Sequence, residues 1–222
     1  MMKFKVNRKS IIILTAALIA AWIIIDLFSP WHTDLRKFDP QTIAQLETDM
    51  WRAYYDKENF RLYRLLVEML HSHQGFPFLR ANYHAYLAAQ AAVVFKRGYG
   101  RKDYELALPY LVKYFRGIND IGQLNCRPEQ VAGLELEWWI MHRERLNYGK
   151  AALVKSIAEA AGALYNLKSE NLIEYAQERT EAMIIRDDQA DSDGVDKKKW
   201  RQINEKLIHS YKALEYALNK NL

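Results

Sequence analysis

Glu and His side chains on otherwise apolar helical faces are the groups in this chain that could do chemistry. Glu47 shares a face with Ile43, Met50, Trp51 and Tyr54, and Glu135 and His142 share another with Val131, Trp138 and Trp139. His84 and Gln90 lie in a stretch dominated by Ala, Tyr and Val. A carboxylate on such a face, once buried, has to be paired, hydrogen-bonded or neutral. Two arrangements meet that demand. Glu47, His84, Glu135 and His142 could hold iron, manganese or zinc between helices, since carboxylate oxygen and imidazole nitrogen are ligands those ions accept. Alternatively Glu47, Gln90, Glu135 and His142, with Arg179 as counter-charge, form a buried ion-pair and hydrogen-bond network that keeps helices in register. Arg143 and Arg186 are further partners for such a network.

Spacing favours the network. Carboxylate metal sites in helical bundles draw a Glu from each of two helices and a Glu-x-x-His pair from each of two others. Glu68-Met69-Leu70-His71 is the one such pair in the chain, and it points away from the stripe Leu62, Leu65, Leu66, Met69 and Leu70, near whose centre His73 falls. No cofactor is therefore expected, and the metal set stands as the alternative. The acidic stretch from Gln189 to Trp200 puts Asp191, Asp193 and Gly194 at calcium-loop positions, but Gln189 and Trp200 occupy the two ends where carboxylates belong. It reads as a solvated loop, with a looser Ca²⁺ site through Asp187 and Asp188 as its alternative. No G-x-S-x-G, H-E-x-x-H, C-x-x-C or phosphate-binding Gly loop is present, so no familiar hydrolase is indicated.

The elements that must position these groups are all helical. Strand alternation is absent after Pro30. Asp39-Pro40 opens a helix to about Asp56, as an N-cap followed by proline at the first position does. Further helices are expected over about 58–74, 77–96 and 103–118, the last bent at Pro109. Others follow over about 128–146, 149–165, 169–187 and 196–219. The stretch Phe78 to Phe95 is apolar nearly all round and should be central, as should Leu134 to Met141. The last helix carries one stripe, Trp200, Ile203, Leu207, Leu214 and Ala217, and should pack as an outer layer or against a partner. Ala88, Ala91, Ala92 and Phe95, with Asp103-Tyr104-Glu105 and Ala107, resemble one tetratricopeptide-type helix pair. Steps of about 34 residues, the period of that repeat, land on His73 and Met141 and not on small residues, so no repeat family is assigned.

The N-terminus sets the compartment. Ile11 to Phe28 is apolar except for Thr15 and Asp26, and its 18 residues would span about 27 Å as helix against a bilayer core of roughly 30 Å. No small-x-small cleavage site follows, so an uncleaved signal-anchor is expected, with Trp31 at interfacial depth. Lys3, Lys5, Arg8 and Lys9 precede the span, whereas only Arg36 and Lys37 follow closely, which places the N-terminus in the cytoplasm. The domains expected are a basic tail 1–10, an anchor 11–28, a linker 29–38 and an extracytoplasmic helical domain 39–222, periplasmic if the source is bacterial.

Of the net charge of +5, residues 1–28 carry +3, so the domain lacks the basic excess of a nucleic-acid binder. The single Cys126 cannot form an intrachain disulfide and reads as a buried thiol. The expected fold class is thus all-α: a transmembrane helix followed by a multi-helix bundle or a solenoid-like helix stack. The expected function is a protein-interaction or scaffold module held to the lipid bilayer through residues 11–28. The alternatives are the bundle metalloprotein and an apolar small-molecule binder lined by Trp51, Tyr54, Trp138 and Trp139.

Overall fold

The computed structural model describes residues 7–188 and 195–220. Helix is the only regular structure among them: α1 (Arg8–Phe28), α2 (Pro40–Tyr55), α3 (Asn59–Glu68), α4 (Phe78–Arg97), α5 (Arg101–Tyr104), α6 (Leu108–Gly122), α7 (Pro128–Arg143), α8 (Arg145–Tyr165), α9 (Ile173–Asp187) and α10 (Lys197–Lys220). Two starts follow from caps legible in the chain. The Asp39 carboxylate accepts the Thr42 N–H at 2.7 Å ahead of Pro40, and the Asp196 carboxylate accepts the Lys199 N–H at 2.7 Å.

Three expected elements differ from what forms. The helix expected over 58–74 ends as α3 at Glu68 and continues as a π-helical turn, Met69–His73. The wider turn rotates the face that follows, so His73 is exposed instead of sitting in the stripe. The helix expected to bend at Pro109 is instead broken. Asp103 accepts the Tyr99 N–H at 2.9 Å, α5 gives way to a 3-10 turn at Glu105–Ala107, and Pro109 sits in the first turn of α6, where its missing N–H leaves nothing unsatisfied. α4 is not buried all round: Ala81, His84, Ala85, Leu87, Ala91 and Phe95 face inward, while Tyr83 and Tyr86 are half-exposed. Ala91, Phe95, Tyr104 and Ala107, from the stretch that resembles a tetratricopeptide pair, do share one core cluster.

Apart from the short α5, which packs on α4 and α7, each helix from α2 packs on the next along the chain: α2 on α3, α3 on α4, α4 on α6, α6 on α7, α7 on α8, α8 on α9, α9 on α10. α10 then returns to α2, so the order of contacts closes on itself. The closure uses the α10 stripe. Trp200, Ile203, Leu207, Leu214 and Ala217 are all buried inside the molecule, against α9 and α2, and the stripe is not left for a partner. α1 stands apart, touching the rest through α4, and Asp26 is its one buried residue.

Candidate functional site: a charged aromatic centre and the anchor joint

The centre is built where α2, α7, α9 and α10 face one another. Glu47 of α2 is buried, and Arg179 of α9 clasps it with both terminal nitrogens, at 2.7 and 2.5 Å. The Trp51 indole donates to the same carboxylate at 3.1 Å and the Tyr211 hydroxyl at 2.7 Å. Arg179 lies between two indoles, its guanidinium carbon 5.9 Å from the Trp51 ring and 5.7 Å from the Trp138 ring. Burial alone would lower the Arg179 pKa; the adjacent Glu47 charge outweighs it and holds the guanidinium well above its ordinary value. This is a fully matched charge pair, with the geometry in which Arg recognises a carboxylate bidentately.

Glu135 of α7 stands beside that pair, with no ion-pair partner of its own among the described residues. The Trp139 indole donates to it at 3.0 Å. Burial raises its carboxyl above the ordinary range. The indoles of Trp138 and Trp139 and the Arg179 charge pull the other way, while the Glu47 charge adds to the rise. Glu135, Arg179 and Trp138 border a cavity of about 230 Å³, with Tyr114, Tyr165, Tyr175 and Tyr211 also in its wall. Burial raises the pKa of all four phenols, so they are neutral hydrogen-bonding groups.

The four candidate metal ligands fall in three places. Glu47 and Glu135 are at this centre. His142 is elsewhere, 2.9 Å from the buried Asp187, which also takes Arg145 at 3.3 Å and Arg186 at 3.1 Å. His84 is on α4, packed edge-on to Phe76, Tyr83 and Tyr114. Among the described residues no three His, Cys, Asp or Glu side chains stand close enough to hold a metal ion. The expected single network is therefore two centres, Glu47–Arg179 with Glu135 and His142–Asp187 with two arginines, and Gln90 joins neither. Arg143 serves another purpose: it donates to the Phe95 and Lys96 carbonyls at 2.8 and 3.3 Å, closing the C-terminus of α4. Asp187 is committed to His142 and arginines, while Asp191, Asp193 and Gly194 of the acidic loop lie outside the described residues. Of the four aromatics expected around an apolar ligand, only Trp138 borders the cavity.

His84 owes its place to a glycine. A Cβ on Gly117 of α6 would stand 1.8 Å from the His84 ring, so the imidazole fills the space a side chain would need. Burial pushes its pKa down to about 4, helped by the nearby Arg80 charge, and its Nδ1 is buried with no hydrogen-bond partner among the described residues.

The second arrangement of note joins α1 to the domain. Asp26, in the last turn of the apolar helix, accepts the Leu79 N–H at 3.2 Å and the Arg80 N–H at 3.4 Å. It thus caps α4 from another helix, where Pro77 offers no capping side chain and the helix dipole favours a negative charge. Arg80 donates to the Ser29 carbonyl at 3.0 Å and the Trp31 indole to the Gly75 carbonyl at 2.7 Å. Thr33 N–H reaches the Ile121 carbonyl at 3.0 Å, and Leu35 is buried against Gly122, whose missing Cβ makes room for it. The stretch 29–38, expected as a linker, is pinned along its length.

Set against known protein families, curated proteins and solved structures, the chain matches none. Several groups at these centres were not singled out by sequence reasoning. Tyr211 carried a usable signal, four residues after Leu207 and three before Leu214 on the α10 stripe. Tyr175 likewise precedes Arg179 by one helical turn. The Asp26 cap and the pairing of Asp187 with His142 join residues far apart in the chain, and no local pattern marks them.

Proposed function

We propose that this protein is a single-pass membrane protein whose helical domain works as a binding module fixed at the bilayer surface. In this reading α1 crosses the cell membrane with its N-terminus in the cytoplasm, and residues 39–222 lie outside it, in the periplasm of a bacterium. The observation that carries it is Asp26. A carboxyl group in an apolar helix of 21 residues is otherwise a liability, and here it caps α4. α1 is long and apolar enough to cross a membrane, and all of it but Asp26 is uncovered by the domain. Its exposed face is an unpaired apolar surface that lipid would cover. With the α10 stripe consumed in packing, the side chains available to a protein partner are elsewhere. Tyr99 and Leu106 flank α5, Leu146 follows α7, and all three are strongly exposed. Arg101 ties α5 to α7 through a two-pronged pair with Glu137, at 2.6 and 2.9 Å. The test is topology: a compartment-sensitive reporter fused after residue 222 should be active only outside the cytoplasm, and carbonate extraction should leave the chain in the membrane pellet. A reporter active in the cytoplasm, or release by carbonate, would overturn the reading.

A further inference from the structure

We propose that the central cavity is a binding site for a small organic cation, a protonated amine, with Glu135 as its counter-ion and the rings of Trp138, Tyr165 and Tyr175 around it. The inference is independent of the membrane reading. Charge accounting leads to it. Arg179 is matched in full by Glu47. Lys37, the only other cation bordering the cavity among the described residues, is at the rim, its ammonium 3.4 Å from Asp34 and its side chain 85% exposed. Glu135 is left as a carboxylate facing an internal space, with indole donors and, among the described residues, no ion-pair partner of its own. A buried carboxylate of that kind stays ionised only if a positive charge joins it.

The rest of the wall fits the same class. Tyr114, Tyr165 and Tyr175 stand in the wall, and Gln74 Oε1 is buried with no hydrogen-bond partner among the described residues. Buried polar atoms require partners, so the space holds polar matter and not hydrocarbon alone. An ammonium supplies donors that these oxygens can accept, and aromatic rings attract cations electrostatically. An anion would meet Glu135 with no free positive charge to balance it. The volume, about 230 Å³, equals about eight waters at roughly 30 Å³ each, which suits a small amine.

The experiment uses the full chain in a neutral maltoside detergent and titrates phenethylammonium, 2-phenylethanol and phenylacetate by calorimetry. The ammonium should bind at least tenfold tighter than the alcohol, and phenylacetate should not bind. Glu135→Gln, which keeps an acceptor for the Trp139 indole, should erase the preference for the ammonium while circular dichroism and the melting temperature stay near wild type. Ala160→Leu fills the cavity without touching its charges and should abolish binding of all three; it serves also if Glu135→Gln does not fold. Equal affinity for alcohol and ammonium, a preference that survives Glu135→Gln, binding that survives Ala160→Leu, or no binding of any probe would each overturn the proposal.

Discussion

Glu47 and Arg179 show what a matched buried pair demands of its neighbours. Removing one partner strands the other charge, and Glu47→Leu should destabilise the fold by about 3–5 kcal/mol. Glu47→Gln keeps an oxygen for Arg179, Trp51 and Tyr211, and should cost clearly less. Urea unfolding of the two variants measures the difference, and equal stabilities would mean the pair is not what holds α2 to α9. His84 supplies a pH dependence. Its folded-state pKa, about 4, lies below the ordinary value of 6.5, so the unfolded chain takes up the proton first. Its contribution is fully present above about pH 6.5, falls as pH drops and is lost below about pH 4, on the order of 3 kcal/mol in all. In His84→Gln the loss of stability between those pH values should be smaller than in wild type. Parallel stability curves for the two would show that the imidazole is not held neutral.

At the level of elements, α4 and α6 meet through one ring in one gap. Gly117→Ala would drive a methyl into the His84 imidazole and should destabilise by about 1–3 kcal/mol, as overpacking does. The double variant with His84→Ala should recover part of that, and a strictly additive cycle would show that the two residues do not compete for space. The same contact marks the boundary of what the sequence discloses. Element type was legible throughout, because Asp39-Pro40, Pro128 and Asp196 start helices for local reasons and the α10 stripe declares its own buried face. Changes of phase were not. The π-helical turn at Met69–His73 and the 3-10 turn before Pro109 depend on how α3 and α5 meet other elements. Of the candidate site residues, burial of Glu47 and its pairing with Arg179 were legible as an apolar-face acid and an available base. That His142 would find Asp187 was not, since 45 residues separate them and Asp187 reads as the edge of an acidic loop. Residues 29–38 read as a linker because their anchors, at Gly75, Arg80 and Ile121, are long-range.

For the whole molecule, the decisive relation is between α1 and everything after it. A free linker would let the domain turn independently of α1, but here Asp26, Ser29, Trp31 and Thr33 are all bonded to the domain. The domain is then carried at one attitude relative to α1. Trp22, one helical turn before Asp26, has its ring 6.4 Å from that of Phe78, which is 46% exposed. Phe78 therefore packs against the turn of α1 that precedes the cap, and faces the acyl boundary if α1 spans the membrane. Leu146 lies in the first turn of α8 and is strongly exposed. Fluorophores placed one at a time at residues 18, 78 and 146 in lipid nanodiscs, with quenchers on the acyl chains, separate the possibilities. Quenching is expected at 18 and 78 and not at 146. Asp26→Ala removes the cap, worth about 1 kcal/mol, and should weaken quenching at 78 while leaving it intact at 18. Quenching at 18 alone in the wild type would keep the anchor and reject the fixed attitude. Quenching at neither 18 nor 78 would reject the anchor itself, because a span buried in lipid cannot hide its middle from quenchers dissolved there.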